Sequence, residues 1–446
     1  VPDIIVRGGT LIRPEGRLKA DVLIVDGRIA DIAPELPSAP EEIDARGLHI
    51  LPGIIDVHVH FNEPGRAEWE GAQTGSCALA AGGGTLFFDM PLNSSPCTVN
   101  AREVDRKREA LEASSVADFG LWGGLVPGSV GQMEPMAERG VVGFKAFMCD
   151  SGLPEFPYVD DQTLRDGMRE ASRLKLPVAV HAESQDMTKA LAAKFTGSSA
   201  RDFLATRPVA AEVDAIERVL DIAGETGASL HLVHVSSGSG VASAAEAKAH
   251  GVDVSIETCP HYLFFTEDDL DRIGVAAKCA PPLRDATVRV ALWRELLAGR
   301  VDIVASDHSP SDPALKKEGD FRTSWGGVAG VQSTLAVLME RGTEGHRLRF
   351  EDISTLIAAN PAGRFRVEAK GRLAVGYDAD LALIDTSERY TLGSKQLLQR
   401  HKISPYIRHT FTGAVVRTIR RGETIFENGK IMAKTRGRFV RPVRQP

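Results

Sequence analysis

Eight apolar, strand-like runs punctuate the middle of this 446-residue chain, separated by longer helix-compatible segments. The runs are "GIIDVHVHF", "GTLFFDM", "ADFGLWGG", "VVGFKAFM", "PVAVHAE", "ASLHLVHVS", "VDVSIETC" and "VDIVASDH", with segments such as "LRDGMREASRLK" and "EVDAIERVLDIAGETG" between them. Strands that are apolar on both faces belong to a parallel sheet covered by its crossover helices, and eight is the number that closes a TIM-type (β/α)8 barrel. A doubly wound open sheet also fits the alternation. However, no GxGxxG or GxxxxGK[ST] follows any run, so its usual phosphate chemistry has no foothold.

The two ends of the chain have a different texture. "DIIVRGGTLIRPEGRLKADVLIVDGRIADIAP" breaks short β-branched runs with Gly-Gly, Pro-Glu-Gly and Asp-Gly, which are hairpin signals. The same texture returns in "DADLALIDTSERYTL" and "AVVRTIRRGETIFENGKI". The chain is longer than the ~250–300 residues at which one core stops growing, so two units are expected. One is a small sheet domain of residues 1–50 with 371–446, and the other a barrel of residues 51–370.

Bulk properties exclude some partners. A net charge of -7 and a pI near 6.0 argue against a nucleic-acid or anionic-membrane surface, either of which favours a clustered basic excess. The one dense basic stretch, "KTRGRFVRPVRQP", is expected to be a solvated terminus. Cys77, Cys97, Cys149, Cys259 and Cys279 form no CxxC pair, which suits reduced thiols in a cytoplasmic protein. No run of ~18 apolar residues is present to span a bilayer, and the N-terminus lacks a signal-peptide layout.

Polar residues cluster where the apolar runs end. In "DVHVH", His58 and His60 are two apart on an extended chain, so both imidazoles point to one face and can meet one metal ion. His181 ends "PVAVHAE", His234 ends "LHLVHVS" and Asp307 ends "VDIVASDH". In a barrel the carboxyl ends of all strands surround one mouth, so these distant residues converge there. Other histidines have plainer readings. His231 lies three before His234 and is expected on the opposite side of the strand, as a core or helix-facing residue. His308 and His261 are expected to be structural or to support the site, and His49, His250, His346, His401 and His409 lie outside the strand ends.

Lys145, inside "VVGFKAFM", is harder to place. Lysine is almost never fully buried without a partner, so either its ammonium reaches water or its nitrogen has become something else. Apolar surroundings lower its pKa, and the neutral amine can add carbon dioxide to give a carbamate whose two oxygens can each hold a metal. Four histidines and one carboxylate supply donors for two divalent ions, and a carbamate at Lys145 would bridge them.

Taken together these residues resemble the cyclic amidohydrolases of the amidohydrolase superfamily. The matching motifs run from "LPGIIDVHVHFNEPG" through "GFKAFM", "VHAES", "HLVHVSS", "ETCPHYL", "KCAPPLR" and "ASDHSP" to "NPAGRF" and "GYDADLALID", so the resemblance covers essentially the whole chain. It implies a barrel with a small β-sandwich domain formed by both chain ends. It also implies a binuclear centre held by His58, His60, Lys145 as N6-carboxylysine, His181, His234 and Asp307, and a homotetramer. The ions are expected to be zinc, although cobalt, manganese, nickel and iron suit the same ligands.

Within the family the substrate is read from smaller differences. Dihydroorotases carry "HLRE" after the histidine pair, with an arginine that clamps the substrate carboxylate. Here the segment is "HFNEPG", and the amide of Asn62 cannot make that charge-assisted contact. The asparagine that those enzymes place before "PPLR" is Ala280, and the tyrosine of hydantoinases five residues after the lysine is Asp150. "HFNEPGRAEWEG", "GFKAFM" and "DMPLNSSP" look like the allantoinase branch, whose substrate is a hydantoin ring bearing a neutral ureido group. A hydantoinase or dihydropyrimidinase acting on another neutral cyclic ureide is the alternative, followed by a dihydroorotase.

The resemblance implies hydrolysis of a cyclic amide by a hydroxide bridging two ions, with His58, His60 and Asp307 on the more buried one and His181 and His234 on the other. Asp307 is expected to take the proton of the attacking hydroxide and return it to the leaving nitrogen. Asn93 and Ser309 are candidates for hydrogen bonds to the ring or ureido group. The segment "SPSDPALKKEGDFRTSWGGVAG" is expected either to close over the site or to be a plain surface loop.

Overall fold

The structure is a computed structural model and describes residues 3–443. Both ends of the chain contribute to one hydrogen-bonded sheet path. From the first end come β1 (Ile4–Arg13), β2 (Gly16–Val25), β3 (Arg28–Ala33), β4 (Glu41–Asp44) and β5 (His49–Pro52). The barrel follows with β6 (Ile54–Val59), β7 (Gly84–Asp89), β8 (Asp118–Leu121), β9 (Gly123–Gly124), β10 (Phe144–Phe147), β11 (Val178–His181), β12 (Leu230–Leu232), β13 (Val254–Thr258) and β14 (Ile303–Val304). The second end then adds β15 (Leu381–Thr391), β16 (Thr410–Arg420), β17 (Glu423–Glu427) and β18 (Lys430–Ile431). The path runs β18-β17-β16-β15-β5-β1-β2-β3, with β4 beside β1. Its join between the chain ends is β5 against β15, where Leu51 faces Ala382.

The expected fold class holds, a TIM-type (β/α)8 barrel with a small β-sandwich domain from both chain ends. All eight apolar runs are barrel strands, and every ladder among them is parallel. "ADFGLWGG" supplies both β8 and β9, which interrupt at Trp122 and pair outward to β7 and β10 respectively. The ring closes where Val59 bridges His308 and where the His60 N–H donates to the His308 carbonyl at 2.8 Å. One apolar layer fills the barrel interior with Ile55, Val57, Leu86, Phe88, Trp122, Ala179 and Phe365. A second lies between strands and helices, where Leu164, Met168 and Ala171 on the helix Asp161–Leu174 line one face at helical spacing.

One expectation fails and another holds only in part. The basic tail leaves Lys434, Arg436, Arg438 and Arg441 exposed, as a solvated terminus would, but its backbone is not free over the residues described. Arg438 and Val440 extend the edge of β8, the Phe119 N–H donating to the Arg438 carbonyl at 3.0 Å and the Val440 N–H to the Phe119 carbonyl at 2.7 Å. The Phe439 ring packs 5.6 Å from that of Phe119, so an apolar anchor and unpaired strand-edge groups outweigh the solvation of the flanking arginines. Residues 444–446 of the stretch lie outside the described residues. His231 is a core residue, but it is not helix-facing. It pairs in register with Ala179 and Ser255, and its ring stacks on Trp122 and meets Phe365 edge-on inside the barrel.

The reason lies at His234. Strict alternation puts residues three apart on opposite faces, but His234 adopts φ 41°, a left-handed conformation that breaks the alternation just past the strand. Both histidines therefore turn inward.

Candidate active site

The strand ends bring the expected residues to one mouth. Asp307, just past β14, also has left-handed backbone, φ 45°, and this turns its carboxylate toward the end of β6. Its Oδ1 lies 3.2 Å from His58 Nε2 and 3.3 Å from His60 Nε2, so the i, i+2 pair of β6 does converge on one point. Across the mouth His181 Nδ1 and His234 Nε2 approach to 3.1 Å. Sparsely populated backbone at two such residues is the kind of strain that a functional arrangement retains.

Electrostatics separate the two roles in this cluster. Burial would raise the Asp307 carboxyl, but the adjoining His58, His60 and His234 hold it well below the usual carboxylate range. Burial lowers His60, His181 and His234, which favours neutral imidazoles able to act as ligands. Lys145 is fully buried on β10, its Nζ 5.1 Å from the Phe147 ring centroid, and burial pulls its amine down to about 8. Lys145 Nζ, His58 Nε2 and His234 Nδ1 have no hydrogen-bond partner among the described residues.

Those orphaned atoms decide whether the residues suit divalent ions. Buried nitrogens without partners are costly, and here they stand beside an ionised carboxylate in a set of imidazole and oxygen donors. His58, His60 and Asp307 place their ligand atoms within 4.8 Å of one another. The donor set therefore fits a borderline divalent metal. Cys149, His181 and Glu183 satisfy the same distance criterion, but that group is already spoken for. Glu183 accepts from His181 Nε2 at 2.8 Å and pairs with Arg207. Burial would raise Glu183, but the Arg207 guanidinium brings it down to about 2. The other ring nitrogen of His181, Nδ1, is the atom that faces His234.

Several carboxylates behind the cluster had not been foreseen. Glu257 accepts from His58 Nδ1 at 2.8 Å, Asp56 from the backbone N–H groups of His58 and Ser306, and Asp89 from the N–H of Phe61 at 2.9 Å. Each occupies an otherwise apolar strand run, which is the very signal that singled out Lys145. His308 takes a supporting role, its Nδ1 accepting from the Gly330 N–H at 3.1 Å. His261 is buried against Tyr262, ring centroids 4.3 Å apart, and burial lowers it to about 4. Among the remaining histidines His401 donates to the Glu68 carbonyl and His409 pairs with Glu340, away from the mouth.

A pocket of about 540 Å³ opens over the cluster, lined by His58, His60, His181, His234 and Asp307. Asn93 and Ser309 both line it, joined only by a long 3.4 Å contact from Asn93 Nδ2 to Ser309 Oγ. Asp150 and Ala280 are also on its wall. Asn62 instead turns its amide to the Pro310 carbonyl at 3.1 Å. The segment after β14 packs across the mouth and is tied there. Lys316 Nζ donates to the carbonyls of Trp325 and Gly327 at 3.0 and 2.7 Å, the Phe321 N–H donates to the Ser198 carbonyl, and Trp325 and Arg322 line the pocket.

This architecture has clear relatives. An amidohydrolase family model matches residues 49–425. An allantoinase from Solibacter usitatus is 57% identical over 99% of this chain and 97% of its own, and one from Rubrobacter xylanophilus is 53% identical over 99% and 98%. Among solved structures, the L-hydantoinase (dihydropyrimidinase) from Arthrobacter aurescens superposes with a TM-score of 0.96 at 32% identity, covering 99% of this chain and 100% of that one. The dihydropyrimidinase from Brevibacillus agri gives 0.92 at 27% identity, covering 100% of both. Barrel, strand-end cluster and near-full-length kinship agree, and the chain belongs to the amidohydrolase family.

Proposed function

We propose that this protein hydrolyses the cyclic amide of allantoin, opening the hydantoin ring to give allantoate. The observation that carries the reaction is the convergence of four histidines and Asp307 beside Lys145, a fully buried amine with no hydrogen-bond partner among the described residues. His58, His60 and Asp307 would hold one divalent ion and His181 and His234 a second, with Lys145 as its carbamate contributing to both. When bound, such ions polarise a carbonyl and make a water nucleophilic near neutral pH.

The protein's own residues do the rest. An amine brought to about 8 by burial keeps a neutral fraction that adds carbon dioxide and releases a proton, becoming an anion suited to a cationic centre. The Asp307 carboxylate, held ionised by its histidine neighbours, accepts the proton of the attacking water and returns it to the leaving ring nitrogen. Asn93 and Ser309 orient the ring or ureido group from the pocket wall. Zinc as the native ion and a homotetramer rest on the family resemblance. A cytoplasmic location rests on five unpaired thiols, and the division into 51–370 and 1–50 with 371–446 belongs to the same proposal.

Allantoin is favoured by relatives 57, 53 and 51% identical that are named allantoinase, and by the absence of a cation at Asn62 to clamp a substrate carboxylate. A neutral cyclic ureide such as hydantoin or dihydropyrimidine is the second reading, supported by the 0.96 superposition on an L-hydantoinase. Ring opening of allantoin, hydantoin, dihydrouracil and dihydroorotate by the purified, metal-loaded protein separates them. Allantoin should be turned over fastest. Hydantoin turnover far above allantoin would sink the first reading, and dihydroorotate turnover would sink both.

A further inference from the structure

A carboxylate with no exposure inside a barrel must be matched by donors, and the donors that Glu257 has recruited come from both halves of the mouth. Glu257 sits on β13, between the strand that leads to His234 and the one that leads to Asp307. Its Oε1 lies 2.8 Å from His58 Nδ1 and accepts the backbone N–H of His234 at 3.1 Å. Its Oε2 lies 3.0 Å from His231 Nε2. We propose that Glu257 is the positioning residue of the metal centre, fixing the ring of His58 and the backbone of His234 through one carboxylate. This rests on the metal-centre reading above.

The hydrogen-bond roles can be followed atom by atom. An ionised carboxylate only accepts, so both histidine nitrogens that face Glu257 must carry hydrogen. His231 then has a bare Nδ1, which accepts from Ser255 Oγ at 2.8 Å. The stacked Trp122 and the edge of Phe365 hold that ring in place. His58, donating from Nδ1, is left with a bare Nε2, which faces Asp307 Oδ1 at 3.2 Å. The two atoms are placed to share one cation. Glu257 thus selects the one tautomer of His58 that presents a ligand to the mouth, which is the usual task of a carboxylate behind a metal-binding histidine. Its second bond, to the His234 N–H, stabilises a residue whose φ of 41° is unfavourable for a side chain with a Cβ.

The test measures metal rather than turnover. Apoprotein is titrated with zinc against a chromophoric chelator, and with cobalt while the visible spectrum is recorded, for wild type, Glu257→Gln and Ser255→Ala. The amide keeps the shape but cannot accept from both histidines at once, so Glu257→Gln should bind zinc about 10 to 100-fold more weakly and shift the cobalt bands. Ser255→Ala, a small change that leaves the carboxylate in place, removes the bond that holds the far side of the His231 ring and so loosens the carboxylate it serves, and should weaken binding about five-fold. The KM for allantoin at saturating metal should stay at the wild-type value in both. Zinc affinity within two-fold of wild type in Glu257→Gln, or in Ser255→Ala if the first variant does not fold, overturns the positioning role. A wild-type apoprotein that binds neither ion overturns the metal-centre reading and the positioning role together.

Discussion

At the mouth of the barrel Lys145 Nζ is buried with no hydrogen-bond partner among the described residues, whereas at the junction with the small domain Lys370 is surrounded by carboxylates. Lys370 Nζ lies 3.0 Å from Asp118 Oδ2 on β8, 3.0 Å from Asp378 Oδ2 and 2.6 Å from Asp380 Oδ2, and Arg421 pairs with Asp118 from the far side. Burial opposes the charge at both sites. At Lys145 it wins and lowers the amine to about 8, while at Lys370 the three aspartates overcome it and raise the ammonium above its ordinary value. The same residue type is therefore held as a lowered amine where partners are withheld and as a fixed cation where they are supplied.

The largest effect that divides them is on activity. Lys145→Ala should lose bound metal and turnover together, by on the order of 10³-fold, the several kcal/mol that a divalent ion contributes to such a barrier. Added acetate or propionate should restore part of both, because a small carboxylate can replace the carbamate. Retention of both metals and full turnover would return Lys145 to an ordinary strand residue. Lys370→Met, assayed with metal present, should keep its KM.

Stability should divide them the other way. Lys370→Met removes the cation shared by the buried Asp118 and Asp380 and the half-buried Asp378 and should cost about 3–5 kcal/mol, the range for removing one partner of a buried ionic network. Lys145→Met takes a buried amine without a hydrogen-bond partner among the described residues out of the mouth, so the metal-free protein should be as stable as wild type or more so. Denaturant unfolding of the two apoproteins measures both. Equal losses would mean that Lys145 is held by partners after all and would dissolve the contrast.

The two sites differ as much in how far the sequence betrays them. The mouth was legible because a barrel strand is an all-apolar run, and His58, His60, Lys145, His181, His234 and Asp307 interrupt or end such runs. Glu257 in "VDVSIETC", Asp56 in "GIIDVHVHF" and Glu183 in "VHAES" carry the same signal and passed unnoticed. A lone carboxylate suggests a ligand less readily than a histidine does, and what it binds depends on strand register. His231 was placed on the wrong face because alternation assumes extended backbone, and the φ of His234 is set by tertiary contacts. The junction was not legible at all. Asp118 meets residues 370 and 421, and the tail meets β8, through separations along the chain that no local periodicity records.

A pH titration sharpens the contrast without touching a ligand. Lys278, on the pocket wall, donates to the Ser324 carbonyl at 2.5 Å and stands 4.9 Å from the Phe203 ring centroid. Burial, then the charge of Arg207, lowers it to about 8. Its folded pKa lies below the unfolded value of about 10.4, so between these values the unfolded chain binds more protons and stability must rise with pH. The gain should be roughly 1–3 kcal/mol from pH 8 to pH 10.5, and it should be absent in Lys278→Met. Lys370, raised rather than lowered, has the opposite sign. Its contribution is complete below about pH 10.4 and declines above it. A stability profile for Lys278→Met parallel to wild type over pH 8 to 10.5 would mean that burial does not hold Lys278 below its ordinary value in the folded protein.

The smallest expected effects come from single hydroxyls, and here the contrast is cleanest because neither change alters charge. Among the described residues Ser309 Oγ at the mouth has only the 3.4 Å contact from Asn93, too long to stabilise the fold, so its hydrogen-bonding capacity is available to a ligand. Thr418 Oγ1 on β16 is fully buried and donates to the Ala80 carbonyl at 2.7 Å, a good bond between the small domain and the helix Ala72–Ala81. Ser309→Ala should therefore raise the KM for allantoin about 5 to 10-fold, the worth of one neutral hydrogen bond, with stability within about 0.5 kcal/mol of wild type. Thr418→Val should do the reverse, costing about 1 kcal/mol in unfolding free energy and leaving KM alone. Paired measurements of KM and denaturant midpoint on the two variants read both axes at once. If Ser309→Ala lost stability and kept its KM, the hydroxyl would belong to the framework, as Thr418 does, and substrate contacts would have to be sought elsewhere on the pocket wall.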